Sequence, residues 1–303
     1  MNSHGHRVES LEASGNARVQ IGDNYYGTDP IEESRSRMFA WLNPPRSGAP
    51  LTTRREPGTN LWFLDTELFA KWHDGDTRFM FLHGIVGCGK TTLLHSIAKK
   101  CLDIRQPGEL VSAFYFSSTA NEGLGLNAFL RFLVAQLCEQ RAVPGPLEAL
   151  YDRHNRSFPP TVASDEELKE LVSSLLCMPR TELYKQEPVS GHSIDFVYLL
   201  VDGLDEIRDR SVRRDVTGFL AELSSLRTAT HSILTTSRPE ADILTAIRAD
   251  CGWRILPIPK HSVRADIEIY VKHELEKHAE LADLEDEVRD ELFARLAGPE
   301  QVM

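Results

Sequence analysis

The chain has 303 residues, enough for one large α/β domain or two smaller ones with appendages. Its 41% hydrophobic and 26% charged residues are ordinary for a globular protein with a sizeable core. The net charge of -11 speaks against a nucleic-acid surface or a general affinity for anionic membranes, both of which need a basic footprint.

The first 27 residues are short of large apolar groups and rich in Ser, Gly, Asn and His, which predicts a flexible tail. MNSHGHRVES has no apolar h-region, so it is not a secretory signal. His4 and His6 read as polar tail residues rather than a metal-binding pair. Within the tail, segment 15–27 stands apart. Ala17, Val19 and Ile21 alternate with Arg18 and Gln20, Gly22-Asp23-Asn24 supplies a turn, and two tyrosines follow. Such a strand has no sheet to join inside the tail, so its pairing partner is expected to be another chain.

A helix is predicted after Thr28, with Asp29 as N-cap, Pro30 in the first turn and Glu32 three residues after the cap; Asn43-Pro44-Pro45 ends it. Leu61 to Lys71 reads as a helical stretch whose aromatic residues Trp62, Phe63 and Phe69, with Trp72 just beyond, form a core stripe. From Phe79, strands Phe79–His83, Val111–Phe116, Phe196–Val201, Ser232–Thr236 and Arg254–Pro257 alternate with helical patterns at 90–101, 126–141, 212–226 and 241–248. This alternation predicts a mostly parallel sheet covered by helices on both faces. The proline-rich stretch 145–164 reads as an irregular connection, 165–177 as a helix, and Thr181–His192 as a polar loop. Charged amphipathic helices follow at 263–279 and 283–297. The expected organisation is a tail (1–27), a helical lead-in (28–78), an α/β core (79–259) and the start of a helical subdomain (260–303).

The Gly84-Ile85-Val86-Gly87-Cys88-Gly89-Lys90-Thr91 run matches the P-loop pattern at every fixed position. Gly84, Gly87 and Gly89 let the backbone, with Cys88, curl its N–H groups toward phosphates, and the following helix adds its positive dipole end. Lys90 is expected to reach the β and γ phosphates, Thr91 to ligate magnesium, and Thr92 to touch the α phosphate. A buried-strand run ends in Asp202-Gly203-Leu204-Asp205-Glu206, which predicts Asp202 as the magnesium carboxylate and Asp205 or Glu206 as the group that positions water. Arg238 ends a strand expected between those of the P-loop and Asp202, where a guanidinium senses the γ-phosphate. ATP and GTP are both compatible, because no residue reads the base.

These motifs, with Thr236-Ser237-Arg238-Pro239, resemble the NACHT nucleotide-binding domain of the STAND class of P-loop NTPases over about residues 31–295. The segment Arg55–Leu64, followed by Phe69 and Trp72, is similar to fungal members in particular, where it leads into the domain and helps enclose the nucleotide. The resemblance implies a design like that of NOD-like receptors: an N-terminal signalling element, a switch closed by ADP and opened by ATP into oligomers, and a C-terminal repeat sensor. No winged-helix or repeat pattern follows the helical region, so the chain is expected to be a fragment, a truncated product or a receptor without its sensor. Many related ATPases carry glutamate directly after the magnesium aspartate; Gly203 stands there instead, which implies slow hydrolysis.

The tail segment resembles the amyloid motif of fungal prion signalling systems, which templates the same β-solenoid in a pore-forming cell-death effector. On that resemblance Val19 and Ile21 face the solenoid core, while Gly22 and Asn24 form arcs and ladders. The expected partners are further copies of this chain and an effector with a matching motif. Nucleic acid is not among them, and no apolar run approaches the roughly 20 residues of a membrane span. Cys88, Cys101, Cys138, Cys177 and Cys251 lack CxxC spacing, which fits reduced thiols in a cytoplasmic protein. The alternative is a plain P-loop ATPase whose turnover is its purpose, with a disordered tail.

Overall fold

The computed structural model describes residues 30–45, 56–116, 125–138, 143–177, 196–226, 228, 230–249, 252–278, 281 and 285–296. Five strands form one parallel sheet in the order β2-β3-β4-β1-β5. They are β1 (Phe79–His83), β2 (Glu109–Tyr115), β3 (Phe196–Asp202), β4 (His231–Ser237) and β5 (Trp253–Pro257). Two short lead-in helices, α2 (Leu61–Leu64) and α3 (Glu67–His73), follow α1 (Pro30–Leu42). The crossovers carry α4 (Lys90–Ile104), α5 (Leu126–Cys138), α6 (Gly145–Asn155), α7 (Asp165–Cys177), α8 (Arg210–Ser225) and α9 (Ala241–Arg248). After β5 come α10 (Lys260–Lys277) and α11 (Asp286–Leu296).

Strand side chains alternate between the two faces, and the core divides accordingly. Phe79, Phe81, Phe114, Leu199, Val201 and Ile233 pack on one face against α5, α7, α8 and α9. Met80, Leu82, Tyr198, Leu200 and Leu234 pack on the other, against α4 and the lead-in aromatics Phe63, Phe69 and Trp72. Burial on both faces is why β1 and β3 read as continuous apolar runs, each large side chain contributing about 1.5–3 kcal/mol.

The stretch 61–71 is two helices rather than one, because Thr66 caps α3: its hydroxyl accepts the Phe69 N–H at 3.2 Å. The stretch 145–164 is not irregular throughout, since α6 occupies its first eleven residues. Pro144 is the N-cap of that helix and Pro146 sits in its first turn, where a missing N–H costs nothing. Leu147, Leu150 and His154 then recur at helical spacing on its buried face. The expected loop Thr181–His192 and the tail segment with Val19, Ile21, Gly22 and Asn24 lie outside the described residues.

All five strands run the same way, so the C-terminal ends of β1, β2, β3 and β4 share one edge of the sheet. In open α/β sheets that edge is where ligands bind.

Candidate functional site

Gly84 follows β1, and its backbone passes so close to the P-loop that a Cβ there would lie 2.4 Å from Cys88 Sγ. Gly87 and Gly89 have φ of 74° and 79°, the left-handed region that glycine alone enters without strain. A Cβ on either would meet nothing within 4 Å, so it is backbone conformation and not crowding that calls for glycine there. Gly89 caps α4, and Lys90 opens it. The Lys90 ammonium donates to the carbonyls of Gly84 at 3.1 Å and Ile85 at 2.8 Å. Cys88 is buried beneath the loop, and burial raises its thiol pKa although Lys90 opposes the shift.

Thr91 donates to Asp202 Oδ2 at 2.5 Å, and the Thr236 hydroxyl donates to Asp202 Oδ1. The second contact follows from the parallel register, which pairs Asp202 with Thr236 across β3 and β4. Burial raises the Asp202 carboxyl above the usual carboxylate range, with the two hydroxyls and Lys90 pulling the other way. Directly after it, Gly203 has φ of 77°, and a Cβ would lie 2.5 Å from the Phe116 carbonyl oxygen. Only glycine fits that turn, so glutamate is excluded from the position after the aspartate.

The chain then coils into a short 3-10 turn, Leu204–Glu206, closed by the Glu206 N–H on the Gly203 carbonyl at 2.8 Å. Asp205 points back to β4. It accepts from the Ser237 hydroxyl at 3.0 Å and the Arg238 N–H at 2.9 Å, and pairs with Arg238 Nε at 2.9 Å. The Asp205 side chain is 6% exposed while that of Arg238 is 42% exposed, so the carboxylate anchors the guanidinium and leaves it reachable from solvent.

Gly87, Gly89, Lys90, Thr91, Asp202, Asp205, Glu206 and Arg238 all border one cleft of about 530 Å³. Of the residues expected at the site, Gly84, Cys88 and Thr92 do not line it. Tyr115 and Phe116, at the end of β2, do, and the motifs gave no signal for them. Their place comes from register, which sets Tyr115 beside Asp202. Burial raises the Tyr115 hydroxyl pKa, with the Asp202 charge adding to it. Backbone N–H groups, two cations and a buried carboxylate around one cleft suit a polyphosphate carrying a divalent cation. The glycine loop and the Thr91–Asp202 oxygen pair are groups such a ligand would fill.

Residues 58–238 match the family described as Nephrocystin 3, N-terminal. Residues 7–26 match the family described as N-terminal small S protein of HET, non-prionic. No curated protein matches the chain. Among solved structures, Cdc6p from Pyrobaculum aerophilum is 14% identical with a TM-score of 0.43, over 77% of this chain and 53% of that one. Drosophila ORC bound to DNA is 13% identical with a TM-score of 0.45, over 95% and 61%. AMPPCP-bound DnaA from Aquifex aeolicus is 14% identical with a TM-score of 0.38, over 79% and 58%. The matched region thus spans between about half and three-fifths of those chains. Among the described residues no helix is long and apolar enough to cross a membrane.

Proposed function

This chain belongs to the nephrocystin 3, N-terminal family, and we propose that it is a nucleotide-operated switch. Its two matches fit the order of a fungal NOD-like receptor, an N-terminal amyloid-type motif followed by a NACHT P-loop domain. The observation that carries the switch reading is the convergence of Lys90, Thr91, Asp202, Asp205, Glu206 and Arg238 on one cleft.

In this reading the cleft takes ATP or GTP. Lys90 leaves the carbonyls of Gly84 and Ile85 for the β and γ phosphates, and the N-terminus of α4 faces the phosphate chain. Thr91 and Asp202 hold magnesium, which neutralises charge on the phosphate oxygens when bound. Arg238, held by Asp205, reads the γ-phosphate. Asp205 is held in that ion pair, and Glu206, which borders the same cleft, is the carboxylate assigned to orient an attacking water. The glycine at 203 displaces that carboxylate three residues along the chain, which makes turnover slow and suits a timer more than a working ATPase. Oligomers formed in the triphosphate state gather the tails, and their raised effective concentration nucleates the segment around Val19 and Ile21 for an effector with a matching motif.

Magnesium-dependent binding and turnover of ATP and GTP by the full chain test this, beside Lys90→Ala and Asp205→Ala. The expected result is tight binding with turnover below about one per minute, against an ordinary enzyme median of ~10 per second. Lys90→Ala abolishes binding, and Asp205→Ala retains it while removing nucleotide-dependent assembly seen by light scattering. Fast turnover without assembly would favour the plain ATPase, and absence of binding to either nucleotide would end the reading.

A further inference from the structure

The lead-in segment 56–62 lies along α10 and touches it at successive turns. Glu56 Oε1 comes within 3.0 Å of His273 Nδ1. A Cβ on Gly58 would meet Ile269 at 3.7 Å. Asp266 accepts from the Asn60 N–H at 2.8 Å and from Trp62 Nε1 at 3.1 Å. Positions 266, 269 and 273 share one helical face, so this is a docked strap and not a single crossing.

The same strap reaches the P-loop helix. Asn60 Nδ2 donates to Ser96 Oγ at 2.9 Å, and Ser96 Oγ donates to the Thr92 carbonyl at 2.8 Å. Asn60 and Ser96 are 5% and 1% exposed, so this polar link is shielded from competing water. Asn60 sits in the left-handed region with φ of 62°, a conformation asparagine tolerates better than most residues. That backbone turn lets one residue bond in two directions, its N–H to α10 and its side chain to α4. Three hydrogen bonds therefore join Thr92, next to the magnesium ligand Thr91, to the first helix beyond the sheet.

We propose that Asn60 is a positioning residue that couples the phosphate-bearing end of α4 to α10. The inference rests on the nucleotide-switch reading and names how that site communicates. When phosphates draw on the first turn of α4, the carbonyl of Thr92 and the Ser96 hydroxyl move with it, and the strap carries the displacement to Asp266. Coupling of two sites requires such a shared element whose position both bias.

The test is hydrogen–deuterium exchange of residues 260–277 in the full chain, with and without magnesium ATP and, in parallel, magnesium GTP. Calorimetry first establishes binding. In the wild type, nucleotide should change exchange in α10 by roughly fivefold or more, the lower end of ordinary coupling. Asn60→Gly keeps the left-handed backbone and the N–H to Asp266 while deleting the bond to Ser96. Ser96→Ala deletes the same bond from the other side, and Asp266→Ala cuts the α10 arm. Each should bind nucleotide and reduce the α10 response to less than about twofold, and the pair Asn60→Gly with Ser96→Ala should do no more than either alone. A full α10 response in Asn60→Gly and Ser96→Ala would overturn the proposal, as would a wild type that binds nucleotide with no response in α10. Absence of binding by the wild type would instead sink the switch reading and the coupling with it.

Discussion

Burial raises the Asp202 carboxyl above the ordinary carboxylate range, against the hydroxyls of Thr236 and Thr91 and the charge of Lys90. A raised folded-state value means that the native chain holds this proton more tightly than the unfolded one. Stability is therefore present at low pH and is lost as pH rises through the raised value. Once ionised, the buried carboxylate is a cost that a cation beside it would offset. Asp202→Asn should accordingly raise the melting temperature of the nucleotide-free chain, by roughly 2–4 °C for each kcal/mol gained at this size. The same change should remove magnesium-dependent nucleotide binding, and calorimetry on the variant checks both halves. A lower melting temperature would show that the two hydroxyls outweigh burial.

At the scale of single elements, α7 shows how local chemistry fixes a boundary. Ser164 precedes the helix, and its hydroxyl accepts the Glu167 N–H at 3.3 Å while Glu167 Oε2 accepts the Ser164 N–H at 3.0 Å, a capping box. The Ser164 backbone foremost, then its hydroxyl, Arg153 and His154, hold the Glu167 carboxyl down at about 2. A depressed carboxylate contributes stability that is present above the ordinary value of 4.5 and lost as pH falls toward 2. Glu167→Gln should cost about 1 kcal/mol at pH 7, and its stability should fall less steeply than the wild type's between those values in denaturant titrations across pH. The helix expected at 165–177 stands at those bounds. Helix α6 was not expected, because its prolines carry a turn signal in sequence and become harmless only when they fall at a helix N-terminus.

At the scale of the molecule, the lead-in is part of the core. Trp72 is 0% exposed, its indole N–H donates to the Ile233 carbonyl at 3.2 Å, and its own carbonyl accepts from Ser232 at 3.2 Å. A residue whose ring covers the sheet, and whose indole N–H and backbone carbonyl both bond to β4, ties the lead-in to the strand that runs into Arg238. Trp72→Ala should cost about 3–5 kcal/mol, measured by urea denaturation, and should loosen the cleft along with the core. A loss below about 1 kcal/mol would mean that the lead-in folds as an appendage. The aromatic stripe announced that these residues pack; it did not announce against which strand.

The sequence by itself determined the P-loop, the strand that ends at Asp202, the alternation of strands and helices and hence the parallel sheet. Each is written in contiguous residues, as a fixed spacing or a period. It left Asp205 and Glu206 interchangeable, and it could not bring Thr236 to Asp202, Tyr115 and Phe116 to the cleft, or Asn60 between α4 and α10. Those contacts join residues far apart in the chain: strand order and register set the first two, and the docking of segment 56–62 on α4 and α10 sets the third. Tertiary structure decided that Asp205, which borders the cleft together with Glu206, is taken up by Ser237 and Arg238. The physical reason lies in the parallel pairing of β3 with β4, which brings the turn after Asp202 beside Ser237 and Arg238, so that Asp205 meets partners that no local pattern names.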